Sequence, residues 1–374
     1  MMANHTSAPG LAPAAGGTLP EGLSVVIPSW NGRALLEKFL PSVVEAAAAF
    51  EAACRAPTEV LIADDASSDA TLTWLVACFP QVRFEASENR QGFAPTANRG
   101  VRAARYRLVY LVNNDVALEP ASLPPLAPHF EDPRVFAVAS QVYDYATGVL
   151  SGAGQVGEFR RGFLAIHRRY FVPAPPTAGA AHFAAPWLTL YASGGSSMFD
   201  REKFLALGGF DELFAPFGWE DVELSLRAWK RGYQVHYEPR SAVWHQFAST
   251  IAPRPETSRQ RRRVNAIYER NRLLAHWLHL DTTTHLATHG FFLLLKLFVT
   301  PFSGRWSRFA GWSAAAQAAK RWGEVRARRG PLHAAQQREL RDVLAQLAHQ
   351  LRRPEAQPLT PRTAPVRPHP GVLG

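Results

Sequence analysis

The chain has 374 residues, 47% of them hydrophobic, and only two cysteines. This excludes a disordered protein and a small disulfide-built scaffold, since Cys54 and Cys78 make no framework of bridges and lack the paired spacing of a zinc site; both are expected reduced in a core. The net charge of +10 is uneven: residues from Pro253 onward carry 21 Lys and Arg against 7 Asp and Glu, while residues 1–252 carry 20 against 24, which suggests chemistry first and attachment to something anionic last.

Residues 1–21 are rich in Ala, Gly and Pro and lack the basic and apolar regions of a signal peptide, so they are expected to be a disordered leader of a cytoplasmic protein. Leu23 to Ile27 then reads as a strand ending at Pro28, with a turn at Asn31-Gly32 before an alanine-rich helix from Ala34 to Ala53. The unit repeats. Glu59 to Ala63 is a strand, Asp64 to Asp69 a loop and Ala70 to Cys78 a helix; Val82 to Glu85 is a strand, and a helix from Thr96 to Ala104 leads to the strand Leu108 to Val112. Such alternation predicts an α/β fold, a mostly parallel sheet with helices on both faces and ligands at the carboxyl ends of the strands. Pro28-Ser29-Trp30-Asn31, Asp64-Asp65, Asn89 to Phe93 and Asn113-Asn114-Asp115 all stand at those ends.

After a Gly-Gly-Phe-Asp turn come Glu220-Asp221, a helix from Val222 to Arg231 and a strand from Gln234 to Tyr237. The predicted organisation is a leader over 1–21, a catalytic domain over 22–256, a basic helical extension over 257–351 and a disordered Pro-rich tail over 352–374. No stretch reaches the ~18 apolar residues of a membrane-spanning helix.

Asp115 offers a carboxylate to a hard divalent cation where a diphosphate supplies further oxygens, although an Asx turn closing the strand uses the same residues. Glu220 and Asp221 suit either a helix cap or acid–base work, and Gly218 and Trp219 beside them make a sugar-binding edge. His245 is a candidate metal or phosphate contact, with Ser249 and Thr250 as further phosphate contacts. Gly152 to Gly157 matches the dinucleotide fingerprint G-x-G-x-x-G, but no clear strand enters it and no amphipathic helix follows, which argues against a nicotinamide or flavin site.

Together, VVIPSWNG at 25–32, IADDASSDAT at 62–71, ENRQGFAPTANRG at 88–100, LVNNDVAL at 111–118, SGGSSMFDREKFLALGGFDELF at 193–214, GWEDVELSLRAWKRGY at 218–233, WHQFAST at 244–250 and ERNRLL at 269–274 resemble the family 2 glycosyltransferases of the GT-A fold, particularly their rhamnosyltransferase-like branch. The resemblance covers about residues 22–275. It implies an inverting, non-processive transferase using a nucleotide-sugar donor, dTDP-rhamnose or a UDP-sugar, and a glycan or lipid-linked acceptor. It further implies base or nucleotide contacts at Pro28, Trp30, Asp65, Gly92, Asn98 and Asn114, and Mg2+ or Mn2+ held by Asp115 with His245. Asp221 would be the general base, and Glu220 would position it or bind acceptor. Asn113 departs from the family's D-x-D pattern, leaving one fewer negative charge. The processive synthases' Q-x-x-R-W motif is absent.

The arginines at 259, 261–263, 270 and 272, followed by the apolar run from Phe291 to Phe302, fit an anionic membrane surface at the inner face of the cell membrane. They equally fit helices packed on the catalytic domain with a solvated basic face. No nucleic-acid-binding motif accompanies the charge. A catalytically silent scaffold of the same fold would be expected to have lost Asp65, Asp115 or Asp221, and all three are present.

Overall fold

The computed structural model describes residues 21–173, 185–247, 257–299 and 309–367. Residues 1–20 of the expected leader, residues 368–374 of the expected tail, Ser249 and Thr250 lie outside the described residues. The chain begins with β1 (Leu23–Ser29), α1 (Arg33–Cys54), β2 (Thr58–Asp64), α2 (Thr71–Cys78), β3 (Arg83–Ala86), α3 (Phe93–Ala103) and β4 (Leu108–Val112). All four strands are parallel, and β1 lies between β2 and β4. The strand order therefore reverses at β1, which opens a crevice beyond the carboxyl ends of β1 and β4.

The chain continues through β5 (Val116–Leu118), β6 (Val135–Asp144), β7 (Leu150–Gly152), β8 (Gly154–Arg160), β9 (Phe163–Phe171), β10 (Trp187–Leu188), β11 (Ser196–Asp200), α4 (Arg201–Ala206), α5 (Glu220–Lys230) and β12 (Gln234–His245), and of these strands all but β8 and β9 extend the main sheet. Its order is β10-β12-β6-β11-β4-β1-β2-β3, with β11 antiparallel to both neighbours and β6 parallel to β12. β8 and β9 form a separate small sheet. This is the expected α/β architecture, with a core on each face. Leu23, Val25 and Ile27 pack with Leu36, Leu40 and Val43 of α1, whereas Val26 packs with Ala97 and Val101 of α3. The two-residue period of a strand buried on both faces explains the unbroken apolar run.

The basic extension consists of α6 (Ser258–His279), α7 (Thr283–Val299), α8 (Phe309–Lys320), α9 (Trp322–Ala334) and α10 (Leu340–Gln350). Thr257 opens α6 with a capping box completed by Gln260, satisfying N–H groups that the first turn leaves without partners. These helices pack on the α/β part. Leu273, Leu274 and Leu278 share a core with Leu213 and Phe214, and Leu340, Val343 and Leu347 of α10 join the main core. Lys230 of α5 pairs with Asp281 at 2.9 Å, both nearly inaccessible, and donates to the His279 carbonyl at 2.8 Å.

Two expectations are corrected. Residues 352–367, expected to be disordered, are laid against the fold: β13 (Gln357–Pro358) pairs with β9, Val366 bridges to Val149, and Arg367 meets Glu119 at 3.0 Å. Edge-strand backbone supplies partners that composition does not reveal. Cys54 and Cys78, expected in a core, are exposed, because each is the last residue of its helix, beyond the stripe that faces the sheet.

Candidate active site

β1, β2, β4 and β12 deliver their last residues to one edge of the sheet, where two adjoining cavities lie. The first, about 460 Å³, is lined by Pro28, Trp30, Asp65, Arg90, Gly92 and Arg263, among others. The second, about 330 Å³, is lined by Asn113, Gly218, Trp219, Glu220, Asp221 and Tyr268, among others. Phe93, at the start of α3, lines both and so stands between them.

In the first cavity the carboxylate of Asp65 accepts 2.8 Å hydrogen bonds from the backbone N–H groups of Gln91 and Gly92. It thereby fixes the loop that enters α3, and each oxygen retains lone-pair capacity for a ligand. Arg90 lies 3.4 Å over the Trp30 ring, a cation–π contact that orients the indole as one wall. Gly92 has φ +96°, a left-handed backbone setting that favours glycine.

The three residues after β4 diverge. Asn113 faces the second cavity. Asn114 donates to the Ser29 hydroxyl at 3.0 Å. Asp115 lies with one carboxylate oxygen 3.1 Å from Nε2 of His245, at the end of β12. A carboxylate and an imidazole converging from two strands form a mixed O/N donor pair suited to a borderline or hard divalent ion. Among the described residues no three His, Cys, Asp or Glu side chains cluster for a metal, so the rest of a coordination sphere would come from ligand and water. That donor set fits a cation shared with a diphosphate.

Glu220 and Asp221 form the first turn of α5, entered through Gly218 at φ +90° and Trp219 at φ +75°. Burial raises the pKa of both carboxyls, and the Asp221 charge raises Glu220 further. Hydrogen bonds from backbone N–H groups, Val222 at 2.8 Å and Gly194, moderate the shift of Asp221. One oxygen of Glu220 is buried without a hydrogen-bond partner among the described residues. Two adjacent carboxyls of this kind hold a proton between them more readily than isolated acids do, as repulsion opposes a second charge.

The sequence expectation misplaces two residues. The amide of Asn98, expected in the nucleotide pocket, is buried and clamps both backbone groups of Phe210 at 2.8 Å. Asn114, expected on the nucleotide, instead ties the turn to β1. Conversely, Phe93, Arg90, Arg263 and Tyr268 line the cavities without having been singled out as site residues. So too Asn271, inside the ERNRLL motif, donates to the carbonyls of Phe214, Phe217 and Gly218 at 2.6–2.9 Å. Its motif was visible, but its target lies 53 to 57 residues away. The glycines of the G-x-G-x-x-G stretch serve strand packing: a Cβ at Gly154 would stand 2.4 Å from the Tyr170 ring, and one at Gly157 about 3 Å from leucine side chains.

The doubly wound sheet, with a cavity at its strand-order reversal, an Asp–His donor pair and a buried acid pair beside it, has the GT-A fold. The family model for glycosyl transferase family 2 matches residues 24–207, and that for the N-terminal domain of galactosyltransferase matches residues 179–246. The chain thus carries a segment, residues 24–207, that matches glycosyl transferase family 2. It is 27% identical over 244 residues to polypeptide N-acetylgalactosaminyltransferase 10 of Mus musculus, covering 63% of this chain and 39% of that protein. It is 28% identical over 253 residues to N-acetylglucosaminyl-diphospho-decaprenol L-rhamnosyltransferase of Mycobacterium tuberculosis, covering 62% of this chain and 78% of that one. The chain thus spans about two fifths of the length of the N-acetylgalactosaminyltransferases it matches. The crystal structure of GalNAc-T7 with UDP, GalNAc and Mn2+ superposes with a TM-score of 0.52 at 18% identity, over 70% of this chain and 48% of that one.

Proposed function

We propose that this chain is an inverting glycosyltransferase that moves a sugar from a nucleotide-diphosphate donor to a hydroxyl of a glycan or lipid-linked acceptor. The observation that carries the reading is the buried Glu220–Asp221 pair in a cavity that adjoins the nucleotide-sized pocket across Phe93. The base of the donor would lie between Trp30, Asp65 and Arg263. Asp221, ionised, would take the proton of the acceptor hydroxyl as that oxygen bonds to the anomeric carbon. The bond from that carbon to the diphosphate breaks on the opposite face, and the diphosphate leaves with the electron pair. Glu220 would keep the shared proton and hold Asp221 in register, while Gly218 and Trp219 would form the edge against which the sugar or acceptor rests. Asp115 and His245 would hold Mg2+ or Mn2+, which when bound supplies neutralisation of charge on the diphosphate.

The name of the mycobacterial relative supports a rhamnosyl donor and a lipid-linked diphosphate acceptor, and the sequence resemblance makes dTDP-rhamnose the first donor to try, with UDP-sugars next. Among the described residues no helix is long and apolar enough to cross a membrane. The basic face of α6 and the apolar face of α7 support work at the anionic inner face of a cell membrane. The test is a thermal-shift screen against dTDP-, UDP- and GDP-sugars with and without Mn2+, followed by turnover of Asp221→Asn. A metal-enhanced shift with one nucleotide, and a variant that binds this donor but does not transfer, is the expected result. Normal turnover by Asp221→Asn would remove that residue from the mechanism. No shift with any donor would favour a catalytically silent scaffold.

A further inference from the structure

We propose that the cleft between α6 and α8 receives the phosphate headgroup of a single lipid molecule whose chain lies along α7, a reading that rests on the transferase assignment and names how its lipid-linked acceptor docks. The cleft is a cavity of about 530 Å³ separate from the two already described. Arg262, Arg263 and Arg270 of α6 line one side, and Ser313 and Gln317 of α8 line the other; among the described residues no acid lines it. Arg262 and Arg263, beside an Arg270 whose Nε and Nη2 are held by Asn271 and the Ala215 carbonyl, face Ser313 and Gln317, themselves joined at 2.9 Å, and this concentration of guanidinium charge suits a phosphate or diphosphate. Burial and the neighbouring Arg321 lower the pKa of Arg270, the direction expected where positive charge is crowded. Pro216, Arg263 and Ile267 are shared with the nucleotide cavity, so a headgroup held here lies next to the donor.

An apolar track reaches the same place. Phe291, Leu294, Leu295 and Phe298 repeat at helical spacing along α7 and are 43–70% exposed, a stripe rather than scattered residues. Trp277 of α6 donates to His289 of α7, and Lys296 of α7 pairs with Glu269 of α6 at 2.9 Å. The two helices therefore run antiparallel, and Phe298 and Val299 come level with Ala266 and Ile267, which line the cleft one turn from Arg262 and Arg263. Trp312, next to Ser313 on α8, is 46% exposed. Charge for a headgroup and an apolar path for its tail are thus continuous, as an amphipathic lipid requires.

The experiment titrates full-length protein by calorimetry with dodecyl phosphate below its micellar concentration, with inorganic phosphate and with dodecanol. Dodecyl phosphate is expected to bind at least about tenfold more tightly than either half alone. Arg262→Glu or Gln317→Glu should weaken it about tenfold, whereas Arg261→Glu, on the same exposed turn but outside the cleft, should change it less than about threefold. Equal losses with Arg261→Glu and Arg262→Glu would replace the pocket by diffuse surface charge, and inorganic phosphate binding as tightly as dodecyl phosphate would remove the lipid. Each variant is checked for an unchanged melting temperature and an unchanged donor-induced thermal shift. A retained donor shift without dodecyl phosphate binding overturns this inference and leaves the transferase reading standing. Binding without any donor response overturns the transferase reading instead.

Discussion

At the scale of residues, the acid pair would set activity in the proposed mechanism and carries a cost in stability. Because burial raises Asp221 and Glu220 above the ordinary carboxylate range, the base becomes ionised only at higher pH than a solvent-exposed aspartate would. The acid limb of a kcat/KM–pH profile should therefore lie above the usual Asp range and stay nearly in place in Glu220→Gln, because Glu220 still holds its proton and carries no charge while Asp221 ionises. The linkage has a definite sign. A carboxyl with a raised folded pKa contributes its stability fully below the unfolded value and loses it as pH rises through the folded value. Glu220→Gln should accordingly raise the melting temperature by about 2–4 °C at pH 8, for about 1 kcal/mol, and by much less at pH 4. An unchanged difference between the two pH values would show that Glu220 is not the titrating partner. Asp115→Ala should weaken donor binding with Mn2+ present and leave the metal-free affinity nearly unaltered; equal affinities in both conditions would remove Asp115 from the metal site.

At the scale of elements, the approach to α5 is held from outside its own sequence neighbourhood. Gly218 and Trp219 occupy positive φ, a setting that costs about 1–3 kcal/mol for a non-glycine residue and persists only when the surroundings enforce it. Asn271 enforces it, satisfying three carbonyls of residues 214–218 from α6. Asn271→Ala should cost about 1–3 kcal/mol in denaturant unfolding, since it leaves buried carbonyls without donors, and should lower kcat more than it raises donor KM. The ERNRLL motif was legible as a pattern, yet the role of its asparagine was not. A hydrogen bond to backbone carbonyls leaves no complementary residue type at the partner position. Asn98 shows the converse. Its motif pointed to nucleotide, but its amide matches the N–H and C=O of Phe210 and is consumed there.

At the scale of the whole molecule, the basic extension is a structural part of the catalytic body. α10 shares the main core, and the inaccessible Lys230–Asp281 pair joins α5 to the turn after α6. Removing one member of such a pair leaves the other charged in a low dielectric, so Asp281→Ala should cost about 3–5 kcal/mol. Chemical denaturation, followed by both tryptophan fluorescence and far-UV circular dichroism, should show one coincident transition in wild-type protein. Separate transitions would show that the catalytic part and the extension unfold independently.

The sequence by itself determined the alternation of strands and helices, the sheet class and the strand ends that carry the candidate site. Those features are written in local periodicity and in short motifs whose residues act within a few positions of one another. Tertiary structure alone decided that Asp115 meets His245, that Phe93 divides two cavities, that residues 352–367 lie against the fold and that three arginines of α6 face α8. Each of these joins groups far apart in the chain, where the deciding quantity is which surfaces exclude water together, and local pattern carries no record of that choice.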